Sequence, residues 1–159
     1  MHSLLKILIL AGLLLATSCQ VVVEDIRFGE DQCQFCKMVI SDPKFGAELV
    51  TDKGKVFKFD AAECMADYLK DQSSEQVYAF ITAIAYDTPG ILHEVEQLTF
   101  LVSPEIPSPM GAHLSAYKEE SQARKQWEKY QGTLYTWEEF TRQYDSLKTG
   151  EWKLSETND

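Results

Sequence analysis

Hydrophobic and polar positions along this chain fall into short blocks whose period changes from one block to the next. An apolar run from Ile7 to Ala16 comes first, behind a single firm positive charge at Lys6. It is too short to span a bilayer and has the proportions of a secretory h-region. Residues 20–30, "QVVVEDIRFGE", read as a tether. "KMVISDP" predicts a short apolar strand stopped by Asp42-Pro43. "GAELVTDKGKVFKFD" predicts a hairpin turning at Asp52-Lys53-Gly54.

The period then lengthens. Asp60-Ala61-Ala62-Glu63 has the form of a capping box, and Ala61, Cys64, Met65, Tyr68 and Leu69 follow helical spacing, so they share one apolar face. That places Cys64 and Met65 in the core by default. "QVYAFITAIAY" reads as a strand, Thr88-Pro89-Gly90 as a turn, and "EQLTFLV" as another strand. A proline-rich loop, "SPEIPSPM", leads to a short strand, "AHLSAY". Ser121 to Tyr130 predicts a helix closed by Gly132, and Thr136 to Glu139 a capping box opening a last helix through about Leu147.

Phe45-Gly46-Ala47-Glu48-Leu49 echoes Met110-Gly111-Ala112-His113-Leu114, each just ahead of a strand. With no regular βαβ rhythm, the expectation is an α+β fold of two small related lobes, residues 31–75 and 76–147, with 148–159 a loose tail.

Composition narrows the function. A chain of 159 residues, 45% hydrophobic and 11% aromatic, buries a real core as one domain or two lobes sharing one. A formal charge of −10 argues against nucleic acid, which needs clustered Lys and Arg. An acidic surface is compatible with cation traffic, but more often it serves only solubility.

The apolar run closes on "LATSC", which looks like a bacterial lipobox: residues 1–18 would be a signal peptide, cut off before a lipidated Cys19. That predicts a lipid-anchored protein of the bacterial cell envelope, facing the periplasm, with Cys19 blocked as a thioether. Without it, three of the four cysteines remain: Cys33, Cys36 and Cys64. An odd number cannot all pair within one chain, so at least one thiol is free or metal-bound.

The stretch "DQCQFCKM" has several chemical readings. A redox pair wants its first thiol at a helix N-terminus after a strand, whereas this one precedes the β-branched "MVIS". Zinc wants a second close pair of Cys or His, and none follows; Cys64, His93 and His113 are scattered. Thiolate and thioether ligands select Cu(I), which fits better. Cys36 and Met38 lie at i, i+2 on an extended segment. Met110 sits in a Pro/Gly loop with no core face to fill, three residues before His113.

Residues 31–145 also resemble the NosL family, in "CQFCKMVISDPKFGAEL", "FKFDAAECMADYL" and "SPMGAHLSAY". The resemblance implies a two-lobed α+β fold related to that of organomercurial lyases. It also implies a non-enzymatic Cu(I) chaperone for the copper centres of nitrous oxide reductase. Its partners would be a membrane transporter complex and the reductase itself. Carried over, the metal ligands are Cys36, Met110 and His113, with Cys33, Met38 and Cys64 as secondary candidates. Where the family usually has Gly after the second thiol, this chain has Lys37, which would be strained if the backbone there takes positive φ. The rival readings are a thiol oxidoreductase or organomercurial-lyase-like enzyme, and a zinc- or disulfide-stabilised adaptor.

Overall fold

A computed structural model describes residues 21–72 and 76–148. The expected signal peptide, the lipidation at Cys19 and residues 149–159 of the expected tail lie outside the described residues. Among the described residues, two antiparallel sheets and three α-helices make up the fold, the α+β class that the sequence predicts. Strands β1 (Ala47–Thr51), β2 (Val56–Phe59), β3 (Tyr78–Ala85) and β4 (Thr88–Glu94) form one sheet in the order β2-β1-β3-β4. Strands β5 (Thr99–Val102), β6 (Leu114–Tyr117) and β7 (Thr133–Tyr135) form the other, in the order β6-β5-β7. Helix α1 (Ala62–Lys70) follows β2, α2 (Glu120–Tyr130) follows β6, and α3 (Trp137–Lys148) follows β7.

The β1–β2 hairpin turns where expected, with Gly54 at φ +79° and the Thr51 N–H bonded to the Lys55 carbonyl at 2.9 Å. The four-stranded sheet takes β1 and β2 from before residue 75 and β3 and β4 from after it. The sheets adjoin at Tyr86, whose N–H meets the Ala116 carbonyl at 2.6 Å. One core runs through both: Phe59 and Leu49 from the first, Phe100 and Leu114 from the second, Cys64 and Met65 from α1, Phe140 and Tyr144 from α3. Truncating a fully buried phenylalanine such as Phe140 to alanine would cost about 3–5 kcal/mol.

Four local expectations fail for identifiable reasons. "KMVISDP" contributes only an isolated bridge, Gln32 to Val39, because the chain before it is busy making the cysteine turn. The reversal expected at Thr88-Pro89-Gly90 comes earlier, at Tyr86-Asp87, because the Asp87 carboxylate accepts the N–H groups of Lys118 (2.9 Å) and Glu119 (3.1 Å). Pro89 is then tolerated because β4 is an edge strand. The capping box at Asp60 does not form: Ala61 is the N-cap, without a side-chain hydrogen bond, and Glu63 turns inward. The stretch expected as a tether is part of the fold from Glu24 onward. The Glu24 N–H donates to the buried Glu48 carboxylate of β1 at 2.8 Å, Ile26 is buried, and Lys58 of β2 reaches the Asp25 carbonyl at 2.8 Å.

The second half keeps closer to expectation. At α3 the capping box forms reciprocally, with the Thr136 N–H donating to Glu139 Oε2 (2.8 Å) and the Glu139 N–H to Thr136 Oγ1 (3.2 Å). Strand β7 was not legible: Gly132, at φ +121°, lets it pass so close to β5 that an added Cβ would lie 2.2 Å from the Val102 carbonyl oxygen.

Candidate metal centre

The thiols sit on two elements. Cys33 and Cys36 bracket a tight turn that the Gln32–Val39 bridge closes, with the Cys33 N–H donating to the Met38 carbonyl (2.8 Å) and the Lys37 N–H to the Cys33 carbonyl (3.0 Å). Lys37 takes φ +66° to complete it, the left-handed position that the missing glycine would fill without strain. Two contacts fix the turn to the sheet. The Gln34 N–H donates to the Lys58 carbonyl of β2 at 2.8 Å. Asp31 accepts the Arg27 N–H (2.9 Å) and the Lys58 ammonium (2.9 Å). Burial pushes the Asp31 carboxyl up, but these donors outweigh it and bring it down to about 2.

Cys64 comes from the first turn of α1, on the buried face that the helical spacing marks out. It meets the other two: the three sulfur atoms all lie within 4.8 Å of one another, and all three cysteines are free thiols. An ion with metal–sulfur bonds of ~2.3 Å needs sulfurs ~4 Å apart in a trigonal plane, so three sulfurs this close suit one ion. Among the described residues no histidine or carboxylate joins the group to make the fourth position that structural zinc requires.

Electrostatics singles out Cys33. The Cys64 thiol donates to it, and the backbone N–H groups of Asp60 and Cys36 also point at its sulfur. Against the effect of burial, these bring Cys33 down to about 5, so it is the thiolate of the set. Cys64 is pushed up because its proton is engaged with Cys33, and Cys36 is pushed up by burial.

A cleft of about 440 Å³ opens beside the thiols, lined by Met38, Asp42, Phe45, Asp60, Pro107 and Pro109. It brings the cysteine turn opposite the proline-rich loop, two segments about seventy residues apart in sequence. Met38, whose backbone N–H points at the Cys36 sulfur, is 46% exposed at this cleft. Met110, next to Pro109, is 44% exposed. These are thioethers held in water, not core packing. The Met110 loop is pinned from within: its N–H donates to Glu63 Oε1 at 3.3 Å, and the Leu114 N–H donates to Ser108 Oγ at 3.3 Å.

The structure thus brings Cys33, Cys36 and Cys64 together, with Met38 lining the cleft and the exposed Met110 following Pro109 of the cleft wall. His113 lies outside the three-thiol group, at φ +55°, its carbonyl accepting the Ser103 N–H at 3.0 Å ahead of β6. Two participants were not legible in the sequence. Asp60 is buried, lines the cleft and turns its backbone N–H toward Cys33. Glu63 is buried and holds the methionine loop, although its helical position reads as a solvent-facing cap.

A search of curated proteins by sequence finds no match. Among solved structures, the fold is similar to the crystal structure of the copper chaperone NosL from Shewanella denitrificans. The TM-score is 0.66 at 20% identity, over 76% of this chain and 96% of that one, a likeness of fold. The NosL family model matches residues 27–144, which takes in the cysteine turn, α1, the cleft and the methionine loop. The chain belongs to the NosL family.

Proposed function

We propose that this protein is a Cu(I) chaperone of the bacterial cell envelope, anchored through a lipid on Cys19 and facing the periplasm. One observation carries the reading: three thiols converge within 4.8 Å beside a cleft that the exposed Met38 lines, with the exposed Met110 next to Pro109 of its wall. Soft sulfur ligands in low coordination number favour Cu(I) over the hard and borderline ions. The family and the copper-chaperone name of the similar structure point the same way. The recipient would be nitrous oxide reductase, reached through its membrane maturation complex. Transfer runs by ligand exchange, a partner's ligand joining the ion before a chaperone ligand leaves, so the protein needs no catalytic acid, base or nucleophile.

The test is competition between the reduced protein and a chromogenic Cu(I) chelator. Tight 1:1 binding that Cys36→Ala weakens is expected; the absence of such binding would remove the reading. The three-thiol cluster is also what a thiol oxidoreductase would need. Disulfide exchange catalysed by the metal-free protein and lost in Cys64→Ser would favour that alternative.

A further inference from the structure

The sulfur ligands are graded by depth. Cys33 and Cys64 are each 1% exposed, Cys36 is half-buried, and Met38 and Met110 are open to solvent. An incoming partner cannot reach an ion held by the two deepest thiols without first drawing it outward. Cys36 is the one thiol placed to accompany that movement, because its sulfur belongs to the three-thiol group and also faces the backbone of Met38 at the cleft.

We infer that the site has two stations sharing Cys36: an inner one of Cys33, Cys36 and Cys64 where the ion rests, and an outer one of Cys36, Met38 and Met110 through which it leaves. This rests on the copper reading above and divides its ligands by task. Thiolates are anionic and thioethers neutral, so the inner station is the tighter and the outer the more labile. Moving outward breaks the bonds to Cys33 and Cys64 and forms bonds to Met38 and Met110, while the bond to Cys36 persists. The ion stays Cu(I) and no electron moves; Cys64, deprotonated when the ion binds, takes its proton back from solvent. The Glu63 link from α1 to the Met110 backbone keeps the outer thioether beside the helix that carries Cys64.

Selenium tests this without disturbing the fold. Reduced protein with selenomethionine in place of methionine is loaded with one equivalent of Cu(I) and measured at the copper and selenium absorption edges. The expected resting shell is three sulfurs with no selenium neighbour. A copper–selenium distance that disappears in the Met38→Leu/Met110→Leu variant would overturn the two stations. A second arm compares affinity with the rate of Cu(I) transfer to excess chelator. The double methionine variant should slow transfer about tenfold, losing far more in rate than in affinity, and Cys64→Ala should weaken affinity about a hundredfold while speeding release. Equal losses of affinity in the two variants would mean a single mixed site and overturn the inference. A protein that binds no Cu(I) would instead bring down the copper reading itself, and this inference with it.

Discussion

Glu63 Oε1 accepts the backbone N–H of Met110 at 3.3 Å across 47 residues of sequence, tying the first turn of α1 to the loop that carries the exposed thioether. The carboxylate is buried, which pushes it up from the usual range, while Ser108 and the Met110 N–H pull the other way. A buried carboxyl in that place has a mechanical task, since it joins α1 to the methionine loop. Glu63→Ala should speed hydrogen exchange at the Met110 amide by about tenfold, and Glu63→Gln, which keeps an acceptor oxygen, should largely restore it. Unchanged protection in the alanine variant would show that the loop is held by other means.

Lys37 at φ +66° predicts a stabilising substitution. A residue with a Cβ costs roughly 1–2 kcal/mol in the left-handed region, partly offset by the extra chain entropy that glycine loses on folding. Lys37→Gly should therefore raise the urea midpoint, by the equivalent of about 0.5–1 kcal/mol, although it gives up the ammonium contact with the Gln34 carbonyl. A lower midpoint would mean that this contact outweighs the backbone strain.

Glu48 predicts a pH dependence of stability. Burial beneath the Glu24–Asp31 segment pushes its carboxyl up to about 7; the Glu24 N–H and Lys58 oppose the rise, while the Glu24 and Asp25 carboxylates add to it. The native state holds this proton more tightly than the unfolded chain does. Its contribution is therefore complete at pH values below the ordinary glutamate range and is lost as pH rises toward about 7. The loss is at most about 3 kcal/mol. Urea titrations between pH 4 and 8 should show Glu48→Gln losing less stability with rising pH than the parent does, the difference between the two profiles separating Glu48 from the opposite contribution of Cys33. Identical profiles would mean that Glu48 contributes no pH dependence.

Cys33 predicts a thiolate in the metal-free protein. Because the Cys64 thiol and two backbone N–H groups bring it down to about 5, one thiolate should absorb in the ultraviolet at pH 7 and disappear as pH falls through about 5. The sign for stability is the reverse of that at Glu48: the contribution is present at high pH and lost on acidification. Cys33→Ser should abolish the absorbance, whereas its retention would place the thiolate elsewhere.

Much of the fold was legible because local rules met no competition. The β1–β2 turn needs a residue at positive φ and has Gly54; the Thr136–Glu139 box pairs two groups three residues apart; the apolar stripe of α1 has one face to bury. Where a side chain had a distant partner, the same rules misled. Asp87 moved a turn by capping backbone groups 31 and 32 residues away, and Glu63 left its cap for a loop 47 residues on.

The sequence by itself determined the α+β class and set Met110 apart from the core, since a thioether between a proline and a glycine has no periodic face to pack; of "CQFCKM" it showed the sulfur atoms but not which chemistry they serve. Only the tertiary structure decided which sulfurs meet. Helical spacing assigned Cys64 to the core, and it is buried there, yet the turn at Cys33–Cys36 is pressed against that same part of the core by Lys58 and Asp31. Burial in a core and membership of a metal site are set by different distances, one along a helix face and the other across the fold. Periodicity reports only the first.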